Sequence, residues 1–140
     1  LRIDTLLDKI RQLDTLCDLL IVEGAGGLMV PLLSDYMMID LARDIGAHLL
    51  LVTPSGLGCI NATLLSLNLL KSRQLPFDWC VNLYHDPESF DRVSRPYYDA
   101  AFPDWWTLQE GLEPFVQEYL RRQSPPGESA NVLPSPDWIK

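Results

Sequence analysis

Leu19-Leu20-Ile21-Val22 is an apolar run that ends on one carboxylate, Glu23, and then on Gly24-Ala25-Gly26-Gly27, a turn almost without side chains. A continuous apolar run of this kind suits a strand buried on both faces, as in a parallel sheet covered by helices. An acid at the C-terminal tip of such a strand, followed by glycines, lets backbone approach a polyphosphate while the carboxylate holds Mg²⁺. The plainer alternative is a strand and tight turn that happen to carry an acid.

The flanking segments continue an α/β pattern. Ile3, Leu6, Leu7, Ile10 and Leu13 recur at helical spacing and predict an amphipathic helix over Leu1 to Leu16. A strand over Asp18 to Val22 follows. Asp35 is expected to cap a helix running to about Ile45, with Gly46 as its left-handed stop. His48 to Thr53 predicts a second strand, Cys59 to Ser72 a helix apolar on nearly all sides, and Phe77 to Leu83 a third strand. The expected architecture is therefore a doubly wound, mostly parallel α/β sheet, incomplete at about three strands with flanking helices. Asp86-Pro87-Glu88 has the chemistry of a helix start, Pro96 an interruption, and Leu108 to Arg122 regains helical spacing. One domain is expected over 1–122, with a Pro-rich mobile tail over 123–140.

Charge narrows the partners. Nineteen acidic against eleven basic residues give a net charge of −8, which argues against nucleic acid or an anionic membrane and for a small-molecule substrate. Cys17, Cys59 and Cys80 are odd in number and widely spaced, so they read as reduced packing residues in a cytoplasmic protein. No apolar run approaches the roughly 20 residues that cross a bilayer, and no secretory signal is evident. The chain opens on Leu1 within or just before a helix, so a fragment is expected.

A second small-residue loop, Thr53-Pro54-Ser55-Gly56-Leu57-Gly58, leads straight into a helix whose free N–H groups could receive a carboxylate or phosphate. Two such loops on one sheet edge would define a crevice. Asn82, at the end of the third strand, offers the donor and acceptor that a purine edge requires, although an Asn there is more often a turn former. His48 is read as a strand start and His85 as a poor metal candidate. Trp105-Trp106, with Tyr97, Tyr98 and Phe102, favour packing over base stacking. No Gly-x-x-x-x-Gly-Lys-[Ser/Thr] loop occurs in these residues.

Val22-Glu23-Gly24-Ala25-Gly26-Gly27-Leu28, then Val30-Pro31-Leu32, Ser55-Gly56-Leu57-Gly58-Cys59-Ile60-Asn61, Thr63-Leu64-Leu65 and a strand ending at Asn82 resemble the second half of dethiobiotin synthetase. The match is clear over Leu1 to Leu83 and looser to about Leu120. The resemblance implies a P-loop NTPase fold and a homodimeric, Mg-ATP-dependent ligase of biotin biosynthesis, which closes a cyclic urea from 7,8-diaminononanoate and CO₂. It implies that an amine captures CO₂ as a carbamate, that ATP phosphorylates it, and that the second amine closes the ring. By matching positions Glu23 would ligate Mg²⁺, and Gly26 would approach the diamine through its backbone. Gly58, Cys59, Ile60 and Asn61 would hold the distal carboxylate across a dimer interface, and Asn82 would read adenine. Ala62 stands where the family often has His, and by the resemblance Phe102-Pro103 would stand in for a later base-binding segment. The P-loop and its lysine lie outside these residues, so no catalytic residue is assigned here and the chain alone is expected to be inactive. Two other readings remain open: a related ligase of the cobyrinate amidotransferase type, and a non-catalytic half-domain that dimerises through the Cys59–Ser72 helix.

Overall fold

The computed structural model describes residues 1–123. The order is α1 (Ile3–Asp14), β1 (Pro31–Leu33), β2 (Tyr36–Met37), α2 (Met38–Asp44), β3 (Leu49–Pro54), α3 (Cys59–Ser72), β4 (Phe77–Asn82), α4 (Pro87–Val93), α5 (Arg95–Ala101) and α6 (Leu108–Gln123). The architecture is α/β. Strands β3 and β4 are parallel and in register from Leu49 opposite Phe77 to Pro54 opposite Asn82, joined through α3. Apart from Gln123, which closes α6, the expected tail lies outside the described residues.

The expected strand over Asp18 to Val22 is not a strand in the structure. A ladder needs a neighbour for each backbone N–H and C=O, and among the described residues nothing pairs with this run. Leu19 and Val22 are each 43% exposed and Ile21 is 82% exposed. The parallel sheet thus has two strands where three were expected. The helix expected from Asp35 also starts later. Ser34 and Asp35, both turn formers, close an antiparallel hairpin of β1 on β2. The N-terminus of α2 is instead met by Asp40, whose Oδ2 accepts the Met37 N–H at 2.9 Å.

Elsewhere local sequence and structure agree. Helix α3 runs over the expected Cys59–Ser72 and turns Cys59, Thr63, Leu67 and Leu70 inward, one residue per turn, while Leu65 stays 63% exposed. Asp86 caps α4 by accepting the Ser89 N–H at 3.1 Å. Pro96 falls in the first turn of α5, so it starts a new helix where α4 has ended. The core closes around Cys59, Val81, Phe90 and Tyr98, with Trp79, Phe102 and Trp105 packed against them.

Two buried polar contacts tie α3 into that core. The Cys59 thiol donates to Ser94 Oγ at 3.4 Å, and the Thr63 and Tyr98 hydroxyls lie 3.0 Å apart. Burial, more than any partner, pushes the Tyr98 hydroxyl up to about 12. His48 precedes β3 and does more than start it: its Nε2 lies 2.8 Å from Asp78 Oδ2, and its ring meets Tyr119 at 5.5 Å.

Candidate functional site

Parallel pairing sends the chain out of β3 and β4 at the same edge, because Pro54 and Asn82 are register partners. The Ser55 hydroxyl donates to the His85 carbonyl at 2.8 Å, and the Thr53 hydroxyl to the Cys80 carbonyl at 3.1 Å. The first bond joins the two exit loops, and the second ties the strands just before them. Gly58 then enters α3 at φ +86°, left-handed backbone that suits glycine. The Cys59 N–H turns back to the Gly56 carbonyl at 3.0 Å, and the Ala62 N–H makes the first helical bond, to Gly58 at 3.0 Å. The N–H groups of Ile60 and Asn61 lie between them, with no backbone acceptor among the described residues, so an anion could take them.

Cys59 contributes no side chain to that opening. Its thiol faces the core, and the residue is 2% exposed. Ile60 is half-buried and Asn61 is exposed. The four residues expected together are therefore one helix start, with Cys59 as its inner anchor.

The C-terminal end of β4 receives a third segment. Val81 donates to the Trp106 carbonyl at 3.0 Å and bridges to Thr107 in parallel sense, so the chain entering α6 runs beside the strand. Gly111 makes this approach possible, since a Cβ there would collide with the Trp106 ring. Trp106 in turn stacks on Phe115 with centroids 5.3 Å apart. Gln109, in the first turn of α6, consequently meets Asn82: its Nε2 donates to Asn82 Oδ1 at 2.7 Å, and its Oε1 accepts the Leu83 N–H at 3.1 Å. Sequence reasoning missed Gln109, because nothing local announces which strand end a distant helix will face.

Phe102 and the tryptophans act in packing. Phe102 sits edge-on to Trp79 at 5.0 Å, and Trp105 donates from Nε1 to Asp99 at 2.9 Å while Arg95 lies 5.2 Å over its ring.

Glu23 and Gly26 belong to a different segment, the turn that precedes β1. Glu23 is exposed and borders an open apolar groove between α1 and α2, with Leu6, Ile10, Val22, Met38 and Leu41. Among the described residues no hydrogen bond or ion pair joins it to Asn61 or Asn82. Gly26 has φ +78°, and a Cβ on it would come within 2.8 Å of Val30 Cγ2, so both backbone and space demand glycine. Val30 closes the turn by donating to the Gly27 carbonyl, and Ile39 of α2 fastens it by donating to the Leu28 carbonyl, each at 3.0 Å.

The donor set fits Mg²⁺ in one respect. Among the described residues no three His, Cys, Asp or Glu side chains converge. Glu23 would offer the hard carboxylate oxygen that such an ion takes beside waters and phosphate oxygens. No helix of the described residues is long and apolar enough to cross a membrane.

Comparison with known proteins adds to this geometry. Residues 2–81 match the family described as AAA domain. The ATP-dependent dethiobiotin synthetase BioD of Sulfurovum sp. is 58% identical over 117 residues, covering 84% of this chain and 56% of that protein. The enzyme of the same name from Wolinella succinogenes is 40% identical over 119 residues, 84% of this chain and 55% of its own length. That of Corynebacterium glutamicum is 31% identical over 144 residues, 96% of this chain and 61% of its own. The chain thus spans a little over half the length of the curated relatives it matches. With its α/β build and a family match over more than half its residues, the chain belongs to the AAA-domain family of P-loop type and is a homologue of the ATP-dependent dethiobiotin synthetases.

Proposed function

We propose that this chain forms the nucleotide-base and substrate-carboxylate half of a dethiobiotin synthetase, which joins CO₂ to 7,8-diaminononanoate and closes the cyclic urea with Mg-ATP. The observation that carries this reading is one sheet edge that gathers an anion-accepting helix start at Ile60 and Asn61 and a fixed amide at Asn82. Relatives named as dethiobiotin synthetases supply the reaction class, and favour it over a cobyrinate-type ligase.

In this reading the substrate's distal carboxylate takes the free N–H groups at the start of α3, where the helix dipole favours negative charge. Gly58 leaves that approach open, since nothing lies within 4 Å of the position a Cβ would take. Asn82 reads the 6-amino group and N1 of adenine. Gly26 brings its backbone up to the diamine, and Glu23 holds Mg²⁺ against the phosphates. ATP, when bound, supplies the phosphoryl group that activates the carboxylated amine. A second copy of the chain would cover the outer face of α3, where Asn61 and Leu65 are exposed. The enzyme would work in the cytoplasm, with Cys59 and Cys80 as buried free thiols.

The test places these residues behind the front half of the Sulfurovum relative and follows dethiobiotin formation from the diamine, bicarbonate and Mg-ATP. Turnover is expected, with Glu23→Gln reducing kcat by about 100-fold or more. Absence of product from a folded, P-loop-containing chimera would overturn the reading. Light scattering on the same protein should give twice the mass of one chain.

A further inference from the structure

We propose that Gln109 is a positioning residue that locks the Asn82 side chain in one of its two amide orientations, and thereby makes the site select a 6-amino over a 6-oxo purine. The proposal deepens the assignment of Asn82 as base reader and rests on it. The juxtaposition that carries it is a relay of two hydrogen bonds whose polarity can run only one way.

The relay begins at the Leu83 N–H, which can only donate. It lies 3.1 Å from one terminal atom of Gln109, so that atom must be the carbonyl Oε1. The other terminal atom of Gln109 is then its NH₂, a donor. It lies 2.7 Å from Asn82, so Asn82 must present Oδ1 to it. A 180° turn of the Asn82 amide would bring two NH₂ groups together at that distance, which is repulsive and leaves both without acceptors. A backbone N–H therefore fixes the side chain of Asn82 through the side chain of Gln109.

The consequence falls on the ligand. Asn82 keeps its Nδ2 for a ligand, since no partner for it is found among the described residues, and Oδ1 retains a second lone pair. In this fixed orientation a 6-aminopurine can donate from its exocyclic nitrogen to Oδ1 and accept from Nδ2 on N1, the ring nitrogen that becomes an N–H donor in a 6-oxopurine. A 6-oxopurine in the same pose sets its carbonyl oxygen against Oδ1. An unlocked Asn would turn over and serve either base; a locked one cannot. Discrimination by an unpaired polar group is larger than discrimination by lost packing.

The helix start that carries Gln109 is held in place by packing. Gln109 lies two residues before Gly111, whose missing side chain seats Trp106 against the start of α6, and beside Thr107, which is 3% exposed and donates from its hydroxyl to Glu110 at 3.2 Å. Gln109 is exposed, so its replacement should leave folding intact.

The test uses the P-loop-containing protein and measures Kd for ATP and for inosine triphosphate, which differ at the 6-position in the sense required, by equilibrium dialysis in the presence of Mg²⁺. The parent protein should prefer ATP. Gln109→Ala should lower the ATP-to-inosine-triphosphate affinity ratio by about tenfold, chiefly by improving binding of the oxo base. Gln109→Glu goes further: one carboxylate oxygen accepts from Leu83 and the other faces Asn82, so the amide must turn its Nδ2 inward and the preference should reverse. Asn82→Ala should weaken ATP binding and abolish the preference. If both Gln109 variants keep the parent ratio while Asn82→Ala removes it, the lock is wrong and the base reader stands. If Asn82→Ala leaves ATP affinity unchanged, the base reader itself is wrong.

Discussion

Cys80 and Cys17 stand at opposite ends of the range of environments that one side chain can meet here. Cys80 is fully buried on β4 and its thiol is pushed up to about 11 by burial, whereas Cys17 is exposed. Thiolate is the reactive form, so of these three cysteines only Cys17 should react with a disulfide reagent in the native chain, Cys59 and Cys80 following on unfolding; rapid labelling of all three would contradict the packing. Tyr36 and Asp44 make a pH-dependent pair. The phenol donates to Asp44 Oδ2 at 2.9 Å; burial first, then this bond, raise it to about 12. Asp44 is held below the ordinary carboxylate range, first by its hydrogen bond from Arg43 and then also by Tyr36. The carboxylate's stabilisation is present above its ordinary value and disappears as pH falls through the lowered one. The phenol's is present below its ordinary value of 10.0 and disappears as pH rises toward about 12. Tyr36→Phe should therefore cost roughly 0.5–1 kcal/mol near neutrality and draw the acid unfolding midpoint, followed by circular dichroism, toward neutral pH. At this scale the place of Asn82 at the end of its strand was legible in sequence, because a polar amide there closes an apolar run. Gln109 was not, because its role exists only through the register of α6 on β4.

The span of helix α3, expected from about Cys59 to Ser72, could be read from sequence, since a glycine precedes it and leucines fill it without a proline or glycine inside. The β1–β2 hairpin could not: its loop, Ser34-Asp35, has the same composition as a helix cap, and only pairing distinguishes the two. The run before Glu23 shows the reverse failure, where an apolar stretch reads as a strand but has no partner among the described residues. Strand identity belongs to the pair and not to the segment. The approach of α6 to β4 is most sensitive at Gly111, where a methyl group would strike Trp106. Gly111→Ala should destabilise the chain by about 1–3 kcal/mol in urea titration, and should also loosen the Gln109–Asn82 bond; an unchanged midpoint would mean that the tryptophan has room to move.

The described residues form an α/β unit whose parallel sheet holds two strands, and two strands are marginal without further cover. Leu19, Ile21 and Val22 lie open beside an apolar groove, which is the kind of surface that associates. The chain by itself should bind a hydrophobic dye and aggregate with rising concentration, and should lose both traits when joined to the front half of a relative; a monodisperse, dye-silent chain would show that the groove is satisfied within these residues. The hydroxyl of Ser55 resting on the His85 carbonyl has a practical corollary for protein engineers. In the proposed reading one loop receives the substrate's acid and the other follows the base reader, and the Ser55 bond ties them, so neither loop is a free module. Grafting 55–58 from a distant homologue without also importing its 83–86 should retune both specificities at once.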